Sequence, residues 1–287
     1  MSLFSYRCGI INYRRNLVKR GLVMMIEKRF LTLDNQILKL EKKNVHVPKT
    51  RHSLQQLRDS NYINLVSCSK VKFAIGCNKN GKYVYSPSHF REWIKYYRQD
   101  CSASNHLNKT LLEFEKVINS RTAYYVSELL EKNELSKAAR EELIQTIRGA
   151  DKYSKYNGER TWSVIAHKTF GELRYIIKWL WRNGYREIVK DIFESYDFFN
   201  THLLSKLDEI VNLRNNNSHF RPLNVYLVYG SRTNNYSNYN FRVEIIKEVF
   251  YQRPNKRVKE ELVDIFHSTK RFNSIKKPPN FIGRKTL

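Results

Sequence analysis

Leu107 to Leu130, read as LNKTLLEFEKVINSRTAYYVSELL, decides the fold class. Leu111, Phe114, Ile118, Tyr125 and Leu129 fall three, four or seven positions apart, which puts them near one stripe of an α-helix. The same periodicity runs outward in both directions. Toward the N-terminus, Phe30, Leu33, Ile37 and Leu40 predict a helix within 26–47, opened by Thr32 or Asp34 and stopped by Pro48. Leu54, Leu57 and Tyr62 predict a short second helix over 52–62, and Ser88 is placed to cap a third that carries Phe90, Trp93, Ile94 and Tyr97. Between them, residues 63–87 alternate more than they cycle. Asn78-Lys79-Asn80-Gly81 is a turn signal there, so a small hairpin or an irregular segment is expected.

Toward the C-terminus a polar helix is predicted over 134–148, a loop over 151–161, a helix capped by Thr169, a brief one over 187–193, and a long apolar one over 197–213. Segments 225–229 and 241–246 read equally as strands or helical turns. Residues 230–240 form a polar loop, and 247–270 a closing amphipathic helix. The expected fold is mainly α, with at most a minor β element. The expected organisation is a basic arm or upstream extension over 1–25, a smaller helical region over 26–104, a helical domain over 105–269, and a basic tail over 270–287.

Composition narrows the partners. Lys and Arg number 52 against 27 acids, a formal charge of +25, which repels itself in a compact chain and suits a polyanion, nucleic acid first. The 13% aromatic content excludes a disordered basic tail. The basic residues are spread along the chain, which argues against a single membrane-surface helix, and no apolar run reaches a membrane span. Cys8, Cys68, Cys77 and Cys101 form no C-x-x-C pair, so reduced thiols in a cytoplasmic protein are expected, with no metal site and no cofactor.

The chemistry-bearing stretch is Arg214-Asn215-Asn216-Asn217-Ser218-His219. Cleaving RNA through its own 2′-hydroxyl needs a base, an acid for the leaving 5′-oxygen, and positive charge beside the phosphorane. Histidine is able to carry either proton, arginine grips two phosphate oxygens, and the Asn215 amide orients phosphate or ring. Residues five apart on an unbroken helix head about 140° apart, so a bend at Asn216–Ser218 is expected. One histidine serves poorly as acid and base in one step, so a homodimer is expected as well. Glu115 and Arg121 are candidates for a supporting pair, and Arg221 for a second phosphate ligand. The plain alternative makes Arg214 a solvated surface arginine and His219 a helix-capping residue.

Asn212 to Asn224, NLRNNNSHFRPLN, resembles the LRNxxAHHxRLxN signature of abortive-infection (Abi) proteins of the AbiD/AbiF type, within the HEPN superfamily. Three stretches resemble the same family in the same order: Lys28-Arg29-Phe30-Leu31-Thr32 through Leu40, Leu57 to Leu65 (LRDSNYINL), and Trp162 with Thr169-Phe170-Gly171-Glu172-Leu173. Glu115 to Arg121 is similar to an E-x-x-I-x-x-R helix of these proteins. Phe220 stands where the family often has a second His, Ser218 replaces Ala, and the tyrosine-rich element is degraded after Asn61-Tyr62. The resemblance implies a HEPN-like helical bundle and a dimer. It also implies metal-independent endoribonuclease activity in phage defence or as a toxin, possible restraint by a small structured RNA, and a site that includes Asn224. The alternative is an RNA-binding scaffold with little or no cleavage.

Overall fold

The computed structural model describes residues 31–132, 134–149, 161–194, 202–230, 239–250 and 256–275. The elements run α1 (Leu33–Glu41), β1 (Val45–His46), α2 (Arg51–Asp59), α3 (Tyr62–Phe73), β2 (Ala74–Cys77), β3 (Tyr83–Tyr85), β4 (Ser88–His89), α4 (Phe90–Glu131), α5 (Lys137–Arg148), α6 (Thr161–Ala166), α7 (Phe170–Arg182), α8 (Arg186–Ile192), α9 (Leu203–Ser218), α10 (Leu223–Tyr229), α11 (Tyr239–Phe250) and α12 (Lys256–Ser274). The fold is mainly α. Its β content is a two-residue parallel ladder, β1 with β4, and a short antiparallel hairpin, β2 with β3.

Side-chain caps start many of these helices. Thr32, Thr50, Asn61, Ser136 and Thr169 each accept a bond from the backbone N–H three residues on, an arrangement worth about 1 kcal/mol per helix. Thr169 and Glu172 complete a reciprocal capping box, because the Glu172 carboxylate accepts from the Thr169 N–H.

Several boundaries differ from expectation, each for a physical reason. Residues 62–73 form a helix, since Asn61 caps it and Leu65, Cys68, Ser69 and Val71 bury one face. Two of those four are polar or small, which hid the helical period. The hairpin forms further along, around the expected turn at Asn78–Gly81. His89, not Ser88, is the N-cap of α4, and the Ser88 hydroxyl accepts from the Trp93 indole. The two helices expected at 90–97 and 107–130 are one 42-residue helix, because nothing between them breaks the backbone ladder. Helix α9 continues past Leu213 to Ser218. The strand-or-turn segments are α10 and α11, and Lys247 belongs to α11 rather than to the closing helix. The expected arm, most of the loop at 151–161, most of that at 230–240 and the tail beyond 275 lie outside the described residues.

Helix α4 is the spine, about 63 Å long. It packs against α3 and against every helix from α6 to α12. Two apolar cores share it. One gathers α1 to α3, the hairpin and Phe90, Trp93 and Ile94, the other begins at Ala103 and takes in the rest, so the packing divides near position 100 while the backbone does not. Phe272 of α12 returns to the first core, which ties the last described helix to the first ones. Among the described residues no helix is long and apolar enough to cross a membrane.

Candidate active site

Arg214, Asn215 and His219 sit at the C-terminal end of α9 and its cap. Asn215 and His219 are exposed and Arg214 is half-buried. The bend comes later than expected. Asn216, Asn217 and Ser218 are helical, His219 is the C-cap, and Phe220 takes the left-handed conformation at φ 51°. The Phe220 N–H bonds to the Asn217 carbonyl and the Arg221 N–H to the Asn216 carbonyl, the pair of bonds that defines a Schellman ending. Pro222 then opens α10. Because the helix holds through Ser218, Arg214 and His219 head about 140° apart, whereas Asn215 and His219 differ by only about 40°.

Arg214 is not a solvated arginine. Its Nε donates to Glu115 Oε2 at 2.9 Å and its Nη2 to Glu115 Oε1 at 3.4 Å. Glu115 Oε1 also accepts from the Phe170 N–H, at 3.0 Å, in the first turn of α7. The guanidinium is thus fixed side-on, and Nη1 leans to Asn215 Oδ1 at 3.5 Å, toward the His219 side of the helix. Its outer N–H groups remain to grip an anion. The alternative reading of His219 holds in part, since the residue does cap the helix, but its imidazole points to an exposed position.

The far side of the turn is anchored from the same spine. Pro222 has no acceptor to cap α10, and Asp100 of α4 supplies one: Oδ1 accepts from the Leu223 N–H at 2.7 Å and Oδ2 from the Asn224 N–H at 2.9 Å. Burial pushes the Asp100 carboxyl up to about 7, while the two N–H donors pull it the other way. Asn224 is fully buried, and its amide donates to the Cys68 carbonyl at 2.9 Å. It supports the turn from behind and cannot touch RNA from there. Asn64 of α3 holds the turn itself, donating to the Phe220 carbonyl at 2.9 Å.

Arg121 does not join Glu115. Six residues along one helix, the two head about 120° apart. Arg121 reaches the Asp191 and Ile192 carbonyls at the end of α8 and lies 3.8 Å from Glu194. Arg221 is exposed beside the cap, a position open to phosphate. Asp100, Asn64 and the Phe170 N–H were not foreseen as parts of the site. Two of them lie in or beside stretches singled out for resemblance, Leu57–Leu65 and Thr169–Leu173, which meet the motif in space. Buried Asn217, read as a spacer, finds no protein partner for either amide atom among the described residues. No cluster of three His, Cys, Asp or Glu side chains among the described residues is placed to hold a metal ion.

The chain matches no protein family, no curated protein and no solved structure with which it was compared. An oriented guanidinium, an amide and an exposed imidazole lie at one helix end on a chain of +25, residue types able to hold a phosphate and to exchange a proton.

Proposed function

We propose that this chain is a metal-independent endoribonuclease of the HEPN type, used as a phage-defence effector or toxin. The observation that carries the reading is Arg214, fixed by Glu115 with N–H groups left over, beside exposed Asn215 and His219. In this reaction the 2′-oxygen bonds to phosphorus and the P–O5′ bond breaks. One base takes the 2′-hydroxyl proton and one acid gives a proton to the 5′-oxygen. Arg214 steadies the phosphorane charge, Asn215 orients it, and Arg221 offers a second cation. Because Arg214 and His219 diverge around α9, a second copy of the chain completes the site by bringing its own His219 across a twofold axis. The products are a 2′,3′-cyclic phosphate and a 5′-hydroxyl.

The same divergence supports a second reading, an RNA-binding scaffold that grips a structured RNA and cuts little or nothing. Expressing the wild type, Arg214→Ala and His219→Ala in bacteria separates the two. The nuclease reading expects growth arrest and RNA cleavage in EDTA from the wild type alone. A wild type as harmless and inactive as both variants, across several RNA pools, removes it. Retained binding with no cutting favours the scaffold.

A further inference from the structure

Away from the motif, the loop after α1 and the β2–β3 hairpin line a half-open cleft of about 570 Å³, within the range of small-molecule sites. Lys42, Lys43 and Lys82 line it, with Tyr83, Tyr85 and Asn78, and no carboxylate among the described residues does. Its walls are held in place. Asn44, at φ 61°, donates from its amide to the Tyr85 carbonyl at 3.2 Å, and its own carbonyl accepts from the Ser88 N–H at 3.0 Å. Across the cleft, Asn78 Oδ1 accepts from the Asn80 and Lys82 N–H groups at 3.0 Å each, closing the hairpin turn.

Lys43 is half-buried with its ammonium 5.6 Å from the centre of the Tyr85 ring. Burial, then the charges of Lys39 and Lys70, hold its pKa below the ordinary value. Lys70 stands 5.1 Å from the centre of the Tyr83 ring. Among the described residues none of Lys42, Lys43 and Lys82 makes an ion pair. The C-terminus of α1 offers only about half a negative charge, enough for one ammonium and not for this group. Lys42 and Lys82 are exposed, and the half-buried Lys43 ammonium, which feels Lys39 and Lys70, is the charge that an anion would relieve.

We propose that this cleft is a nucleotide-phosphate site, filled by a free nucleotide or by a residue of an RNA strand. The ammonium groups of Lys42, Lys43 and Lys82 take the phosphate, and the edges of Tyr83 and Tyr85 that line the cleft lie beside the base, since the rings themselves pack against Phe272 and Lys70 and against Trp93 and Lys43. The site lies apart from Arg214 and His219, and it stands or falls separately from cleavage.

Isothermal titration of the full-length protein tests this with three probes: adenosine 5′-monophosphate, inorganic phosphate and a short oligouridylate. The variants are Lys42→Ala with Lys43→Ala, Lys82→Ala, and, on α5, Lys137→Ala as a control matched in charge to Lys82→Ala. The double variant is expected to weaken nucleotide or oligonucleotide binding about tenfold or more, with Lys137→Ala unchanged. For the oligonucleotide, the double variant also flattens the slope of log affinity against log salt by about 1.4. Binding of the mononucleotide points to a free nucleotide, and binding of the oligonucleotide alone points to a strand. Lys82→Ala, on the opposite wall, reads the same site should the double variant unfold. A double variant that binds like the wild type, equal losses in Lys137→Ala, or a wild type that binds neither nucleotide probe overturns the proposal.

Discussion

Phe220 occupies the left-handed position that a Schellman ending normally gives to glycine, and its ring is 80% exposed, so packing does not offset the strain. Phe220→Gly is therefore expected to stabilise the fold by about 1 kcal/mol, seen as a higher urea midpoint with an unchanged slope. A drop in RNA affinity alongside that gain would mark the ring as an RNA contact. His219 is exposed as well, and His219→Ala should change stability by no more than about 0.5 kcal/mol while abolishing cleavage. A folded His219→Ala variant that cleaves RNA as the wild type does would refute the proposed proton-transfer role. At this scale the sequence disclosed the residue types. It did not disclose that Arg214 is held by a carboxylate 99 positions away.

Two carboxylates of one helix clamp the whole segment from Arg214 to Asn224. Asp100 and Glu115 lie about 22 Å apart along α4 and only about 60° apart in heading, so both face α9 and α10. In Glu115→Gln the amide nitrogen meets either Arg214 or the Phe170 N–H, donor against donor. A loss of about 1–3 kcal/mol is expected, with cleavage reduced at least about tenfold. Full activity with unchanged stability would show that the clamp does not orient Arg214. Asp100 makes a pH-dependent contribution. Its folded pKa of about 7 lies above the ordinary 3.8, so the native state keeps a proton that the unfolded chain releases. Stability from this group is greatest below about pH 4, declines as pH rises to about 7 by up to about 4 kcal/mol, and is level above that. Denaturant titrations of wild type and Asp100→Asn at pH 5 and pH 7.5 check this. The variant should be less stable at both, because its amide opposes one backbone N–H, and its difference between the two pH values should be smaller. An unchanged pH difference would assign the effect to other groups. The sequence also left α3 and the unbroken α4 unread, because buried Ser69 and Cys68 blur one period and no residue signals continuity through 98–106.

Across the whole molecule, self-repulsion at +25 is offset by the two apolar cores along α4 and by a polar network buried between helices. In that network Glu209 accepts from Tyr226, and Arg242 donates to the Leu227 carbonyl at 2.6 Å beside Gly230. A side chain at Gly230 would strike the Arg242 guanidinium and strain the backbone at φ 69°. Gly230→Ala should cost about 1 kcal/mol or more, read by thermal unfolding. The proposed dimer makes a separate demand: on dilution, cleavage per chain should fall as the sedimenting species changes from two copies to one. A rate per chain that is constant through that transition would place the complete site in a single copy.

Periodicity and charge alone determined that the chain is helical and basic and that it carries an arginine and a histidine five positions apart. Those properties are local, since each helix writes its buried face into its own spacing. Only the tertiary structure decided that α9 ends at Ser218, that Glu115 and Asp100 pin its two flanks, and that Asn224 is interior. Such contacts join residues 99 to 156 positions apart, and nothing in a local pattern says which distant carboxylate or carbonyl the packing will bring within reach.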